Sequence, residues 1–254
     1  AGTTYNANST YAYRTVPALA KVDLNNSAAI ANGQVLDLYK FTVTAPSYTV
    51  AGTTYGDVQV KQFKLDLAWS DGGTDDEAEL NALKLYKDGV DITSSVTIAD
   101  EDGASVEGST TTTGVTEGDS RIIVTWDGST EDTITAGSST TYTINGVPQE
   151  FRLDGATDTA SDSVAISFAP DSADVTFGST TVDFIGFLNV ASPTVGSILG
   201  LFTAAAANAS AENAQFIWSD DSAVAHSAST TAGTGDWTNG YLVKDSLSSE
   251  VWTK

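Results

Sequence analysis

The chain has 254 residues, of which 33 are Asp or Glu and 11 are Lys or Arg, so its formal net charge is −22. This excess of negative charge argues against binding nucleic acid or an anionic membrane surface, because phosphate recognition needs clusters of Lys and Arg. Cys is absent and His occurs once, which excludes disulfides, thiolate chemistry and most transition-metal sites.

The composition also indicates a compartment. Met is absent, the initiator included, and the chain begins with the small, polar run Ala1-Gly2-Thr3-Thr4. Such a start is typical of signal-peptide removal, and the lack of oxidation-sensitive Met and Cys suits life outside the cell. No apolar run is long enough to predict a membrane span. We therefore expect an extracellular or cell-surface protein; a halophilic cytoplasm is the alternative, which the Thr, Ser and Gly content disfavours.

Residues 1–29 are small and polar, with only weak alternation of apolar side chains. This pattern predicts an extended arm instead of a compact element, and no hairpin partner is predicted nearby. Its strand-like side chains, which we predict to insert into a neighbouring sheet, are Tyr11, Tyr13, Val16, Leu19, Val22 and Leu24.

Short β-rich segments follow from Gly33 onwards. In the segment 58–69, residues 63–69 alternate strictly between apolar and polar, the mark of a strand with one buried face. The parity slips between Val60 and Phe63, as a β-bulge would require. The other predicted strands are 34–44, 83–86, 95–99, 121–126, 140–144, 149–153, 163–168, 175–177 and 181–188. Turn dipeptides separate several of them, among them Asp88-Gly89 and Asn145-Gly146.

Many short, turn-bounded strands predict an all-β fold, an antiparallel β-sandwich of jelly-roll or immunoglobulin-like type. Two short helices are predicted, one over residues 75–83 for its acidic first turn and one over residues 199–212 for its Ala content. Residues 30–254 are expected to form one sandwich body behind the arm, with a split near residue 136 as the alternative.

The acidic loop that follows the strand 58–69 is a candidate calcium site. Asp71, Asp75, Asp76 and Glu77 place four carboxylates beside Gly72 and Gly73. Calcium takes six to eight oxygen ligands, which a flexible loop can supply. The spacing does not match an EF-hand, and a solvated acidic loop is the alternative. Other acidic groups, including Asp220-Asp221, are weaker candidates.

His226 would have to serve any Ser-His-Asp site, but no Gly-x-Ser-x-Gly elbow accompanies it. A loop position, or packing beside Trp218 and Trp237, is the better interpretation. Paired carboxylates could serve a glycosidase, although a chain so rich in acids offers pairs in any fold. We therefore predict no enzyme activity. Asn-x-Ser/Thr triplets that fit the glycosylation pattern begin at Asn8, Asn25 and Asn208.

The C-terminal part carries the run FIWSDDSA at 216–223, His226-Ser227, and DWTNGYLV at 236–243. With the patterns YRTVP at 13–17, LYKFTVTA at 38–45 and LKLYKDGVDIT at 83–93, it resembles a recurrent module of large secreted β-sandwich surface proteins of candidate-phyla (Patescibacteria-type) bacteria. The resemblance implies a surface-layer-like or extracellular structural role, and it implies no catalytic residues. The present chain differs in having one such module instead of several.

These observations favour a non-enzymatic subunit that polymerises outside the cell into a filament, tube or surface layer. The predicted mechanism is strand donation, in which the arm of one copy completes a sheet of the next. Repeated head-to-tail, this contact gives an open chain. The alternative is a monomeric adhesin module that binds carbohydrate or another surface.

Overall fold

The structure, a computed structural model, describes residues 13–24, 29–70, 78–101, 103–107, 114–153, 161–170, 175–177, 180–182, 215–223, 225–228, 234, 236–240, 242–243 and 246–254. Within these ranges every pair of strands is antiparallel. The one regular helical element there is a 3₁₀ turn at Thr93–Ser95. The predicted all-β, antiparallel sandwich is confirmed.

The first sheet has six strands, which are β1 (Ala18–Lys21), β2 (Leu36–Thr44), β6 (Glu79–Lys87), β7 (Val90–Asp91), β9 (Val115–Thr116) and β12 (Ser139–Gln149). Their order is β1-β2-β12-β6-β7, and β9 pairs with β6 beside this path. The predicted turn at Asp88-Gly89 joins β6 to β7, and both residues have the positive φ values, 49° and 82°, that a two-residue hairpin turn requires.

The second sheet has eight strands and is organised around the long β5 (Val58–Ser70). Its other members are β8 (Val96–Ala99), β10 (Arg121–Trp126), β11 (Asp132–Ile134), β13 (Ser163–Phe168), β16 (Phe216–Ser219), β17 (Trp237–Asn239) and β18 (Leu247–Thr253). Two separate hairpins are β3 (Tyr48–Val50) with β4 (Thr53–Tyr55), and β14 (Val175–Phe177) with β15 (Thr180–Val182).

Aromatic rings join the two sheets at the centre of the core. Phe41 of the first sheet lies 5.1 Å from Phe63 and 4.9 Å from Phe168 of the second sheet, measured between ring centroids. These three side chains have no exposed surface. Ile134 and Tyr142, which flank the alternative domain boundary near residue 136, belong to the same hydrophobic core.

The predicted bulge in β5 is present, and it places a lysine side chain in the protein interior. Ile217 pairs with Gln62 and Trp218 with Val60, so Lys61 is the extra residue. Its fully buried ammonium donates hydrogen bonds to the carbonyl oxygens of Trp126, Gly128 and Thr130 at 2.7–2.9 Å. Burial lowers the pKa of Lys61 to about 8, against the opposing effect of nearby carboxylates. The bulge thus turns a lysine inward to hold the connection between β10 and β11.

The predicted helix over residues 75–83 is wrong, since Glu79–Lys87 form β6. The prediction relied on the acidic residues 75–77, and acidic residues that suit a helix N-terminus can equally precede a strand. The strand also contains a bulge. The register against β12 shifts near Ala82, which has a φ of 51°, so the inward leucines fall at 80, 83 and 85 instead of alternating. This spacing imitates a helical period.

The predicted turn at Asn145-Gly146 is also wrong. Both residues lie inside β12, which runs without a break from the strand predicted at 140–144 to the start of the one predicted at 149–153. Glycine at position 146 lets the Leu38 side chain pack closely against the backbone of β12, because a Cβ atom there would lie 2.6 Å from Cδ1 of Leu38. The helix predicted over residues 199–212 lies outside the described residues.

Candidate functional site: where the N-terminal segment docks

Residues 13–24, which we call the N-terminal segment, lie along the edge of the sandwich body. Within the segment, β1 pairs with β2 in the register Ala18↔Thr44 to Lys21↔Phe41 and forms the outermost strand of the first sheet. The expectation that this stretch has no partner in its own chain is therefore wrong for β1. The sequence conceals the pairing because no turn signal links the two strands.

The start of the segment docks on the loop that follows β16. The Tyr13 ring lies 5.5 Å from the ring of Trp218, which is fully buried. The backbone N–H of Arg14 donates to a carboxylate oxygen of Asp220. The Arg14 guanidinium donates to the carbonyl oxygens of Asp221 and Ser222, each at 3.2 Å. We call residues 220–223 the docking loop.

The end of β1 is held by a buried ion pair with β18. Lys21 Nζ lies 2.5 Å from a carboxylate oxygen of Glu250 and donates to the carbonyl oxygen of Ser249 at 2.9 Å. The side chains of Lys21 and Glu250 are 14% and 6% exposed. Burial, followed by the charge of Glu250, raises the pKa of Tyr39, whose hydroxyl donates to the carbonyl oxygen of Ser248. The N-terminal segment thus supplies the cation that pairs with the buried Glu250 carboxylate.

A buried carboxylate, Asp236, supports the docking loop from below. One of its oxygens accepts hydrogen bonds from the Ser219 hydroxyl at 2.9 Å and from the backbone N–H of Ala223 at 3.2 Å. The same oxygen also contacts His226 Nδ1 at 2.8 Å, and the second carboxylate oxygen of Asp236 accepts a hydrogen bond from the Thr234 hydroxyl at 2.5 Å. Burial alone would raise the pKa of Asp236, but the bonds from His226, Thr234 and Ala223 outweigh it and hold this pKa well below its usual range.

His226 packs against Trp237, with 5.1 Å between the ring centroids. Burial opposes protonation of the imidazole, but the hydrogen bond to Asp236 and the charges of Asp236, Asp221 and Glu131 prevail, so the pKa of His226 is raised. The His226 Nε2 atom is buried and has no hydrogen-bond partner within the described ranges.

The raised pKa of His226 predicts a stability that depends on pH. Protonated His226 stabilises the fold fully below about pH 6.5, its unfolded pKa, and this contribution is lost as the pH rises through the folded pKa. Relative to His226→Gln, we expect the free energy of unfolding of the native chain to fall as the pH rises through this window. Urea unfolding at a series of pH values measures it, and the single imidazole can be titrated by NMR. Parallel pH profiles for the two proteins would contradict the prediction.

This cluster has little capacity for nucleophilic catalysis. The Ser219 hydroxyl donates to Asp236 and not to the imidazole, and the lowered pKa of Asp236 makes this carboxylate a weak base for taking the hydroxyl proton. Ligand atoms of Asp221, His226 and Asp236 lie within 4.8 Å of one another, close enough to surround a metal ion. A proton between His226 and Asp236 explains their 2.8 Å contact without a metal. The arrangement is suited to holding the docking loop in shape.

The predicted interface residues fall mainly on this docking surface. Tyr13, Val16, Leu19 and Leu24 pack against the core of their own chain, and Val22 donates its backbone N–H to the carbonyl oxygen of Lys40. Tyr11 lies outside the described residues. So do the predicted calcium ligands Asp71, Asp75, Asp76 and Glu77, and the glycosylation candidates Asn8, Asn25 and Asn208.

Sequence reasoning missed the two cations of the segment, Arg14 and Lys21. Both stand in a stretch judged by its apolar alternation, and their partners lie more than 200 residues away. The scarcity of Lys and Arg in the chain was the available signal, because each one is then a prime candidate for a specific partner.

Fold and site together define an antiparallel β-sandwich whose N-terminal segment completes one sheet edge and docks on a C-terminal loop. No protein-family model matches the chain, and no curated protein or solved structure shows significant similarity to it. Among the described residues, no helix has the length and apolar character needed to cross a membrane.

Proposed function

We propose that this protein is an extracellular structural subunit that self-assembles by exchanging its N-terminal segment between copies. The observation that carries the proposal is the nature of the docking surface. The segment contributes an edge strand, an aromatic ring, a guanidinium and a buried ammonium, and all of these contact the sandwich body. In an assembly, the segment of one copy would make these same contacts with the body of the next.

Without the segment, the body would present a ready acceptor. The edge of β2 would expose unpaired backbone groups, Trp218 would lose the Tyr13 ring, and Glu250 would lose its ammonium partner. Four residues, 25–28, separate the segment from the body at Ala29, and the Ile30 N–H is bound to the carbonyl oxygen of Thr253. Exchange of an element across such a connection is a low-cost route from monomers to assemblies.

The geometry of the contact favours an open polymer. The donor surface lies at the N-terminal end of the chain and the acceptor surface lies on β2, the docking loop and β18, so the contact is head-to-tail. A net charge of −22 on each copy opposes assembly at low ionic strength, because unscreened like charges repel over about 10 Å or more. Assembly therefore requires screening by salt or cations.

A pair of introduced cysteines distinguishes exchange from closure within one chain. Ala20 and Thr42 are paired across β1 and β2, and opposed residues in antiparallel strands have Cα atoms about 4.5–5.5 Å apart, within the reach of a disulfide. The chain has no other Cys. When the variant Ala20→Cys/Thr42→Cys is assembled at high salt and oxidised, we expect a ladder of covalently linked chains on a denaturing, non-reducing gel.

The matched control is Thr44→Cys/Ser139→Cys, which joins the paired strands β2 and β12 within the body. It must close within a single chain whether or not segments are exchanged. If the Ala20→Cys/Thr42→Cys variant also closes only within single chains, at all salt concentrations and with electron microscopy showing isolated particles, segment exchange is refuted. That outcome would favour the monomeric binding module that the sequence offers as the alternative.

A further inference from the structure

The outward face of the first sheet carries a groove of about 710 Å³, which Val22 of the N-terminal segment borders on one side. Its lining includes Asp37 and Lys40 on β2, Tyr86 on β6, and Thr143 and Asn145 on β12, with Asp88 at one end. The lining thus combines charged and polar groups with one aromatic ring and the aliphatic side chain of Val22.

Strand register explains why this face is concave. Thr143 lies opposite Lys40 on one side and opposite Tyr86 on the other. Thr143 is short and only 8% exposed, so it forms a floor between two long side chains. In the next row Asn145 lies opposite Asp37 and Lys84. The groove therefore follows β12, with β2 and β6 as its walls.

The groups in the groove include both hydrogen-bond donors and hydrogen-bond acceptors. Asn145 Oδ1 is buried and has no hydrogen-bond partner among the described residues. Asp37 and Asp88 add carboxylates, and Asp88 accepts a bond from the Thr141 N–H at 2.8 Å. Lys40 supplies a donor on the opposite wall.

From these features we infer that the groove binds a neutral oligosaccharide chain. Sugar hydroxyls both donate to and accept from such groups, and the Tyr86 ring offers a flat apolar surface for a pyranose face. The groove runs the length of several β12 residues, which suits a linear chain. Anionic polymers are disfavoured by Asp37, Asp88 and the net charge of −22. This binding does not require segment exchange.

Saturation-transfer NMR and titration calorimetry on the full chain test this inference. The probes are cellohexaose, maltohexaose, mannohexaose and N-acetylchitohexaose, with hyaluronan hexasaccharide as the anionic comparison and oligolysine as the cationic one. At least one neutral probe is expected to bind, and Tyr86→Ala to weaken that binding at least about tenfold. Asn145→Ala should weaken it by a smaller factor.

Tyr48→Ala is the matched control. Tyr48 is 37% exposed and stacks on Tyr55 in the β3–β4 hairpin, outside the groove, so binding should be unchanged. Thermal unfolding of each variant checks that the fold is retained. The inference is overturned if no neutral probe binds at millimolar concentration, if Tyr86→Ala binds as tightly as the native chain, or if only hyaluronan or oligolysine binds.

Discussion

The Phe63→Ala variant is expected to lose about 4 kcal/mol of the free energy of unfolding, because the centre of the core loses a whole aromatic ring. Phe63 has no exposed surface, and its ring lies 5–6 Å from those of Phe41, Trp126, Tyr142 and Phe168, measured between centroids. Truncation removes the ring that joins β5 to the first sheet and leaves a cavity that surrounding strands cannot close. Urea unfolding followed by tryptophan fluorescence measures the loss.

Two comparisons make this result specific. Phe63→Leu keeps most of the volume and should cost much less, while Val35→Ala, at a side chain that is 67% exposed, should change the free energy of unfolding by less than about 0.5 kcal/mol. If Phe63→Ala were no less stable than Val35→Ala, the two sheets could not be packed through this ring.

The Lys21→Met variant is expected to lose about 3 kcal/mol near neutral pH. Methionine preserves much of the packing but leaves the Glu250 carboxylate, 6% exposed, without its cation. The cost comes mainly from that uncompensated buried charge and not from the lost attraction. Urea unfolding under conditions in which the protein is monomeric measures it.

A second substitution separates charge from packing. Adding Glu250→Gln removes the stranded charge, so the double variant should recover most of the loss, and the double-mutant cycle gives the coupling free energy. Lys84→Met provides the control, since the pair of Lys84 with Asp91 is exposed on both sides and should contribute nothing measurable. An unchanged Lys21→Met unfolding curve would show that the N-terminal segment is not docked at β18.

Local pattern was sufficient where one strand face is buried along its whole length. β10 and β13 have the predicted bounds, and the parity slip between Val60 and Phe63 located the bulge at Lys61. In β13 the alternation of side chains itself records which face meets the core.

Prediction failed where geometry depends on distant neighbours. The acidic residues before β6 were taken for the first turn of a helix, and Gly146 was taken for a turn residue because only the packed structure shows Leu38 against it. Local sequence pattern could not predict the docking site at all. Its halves, Tyr13 to Lys21 and Trp218 to Glu250, stand at opposite ends of the sequence, and no periodicity records which distant groups will meet.

These contacts between distant parts of the sequence also determine when folding of the sandwich can be completed during synthesis. Tyr13, Arg14 and Lys21 emerge from the ribosome before the sandwich body, and their partners on β16, the docking loop and β18 are made about 200 residues later. Closure over so long a stretch of chain is slow, so the N-terminal segment must wait undocked until its C-terminal partners have been made. An edge strand that stays unpaired for that long is free to meet the same edge of another copy.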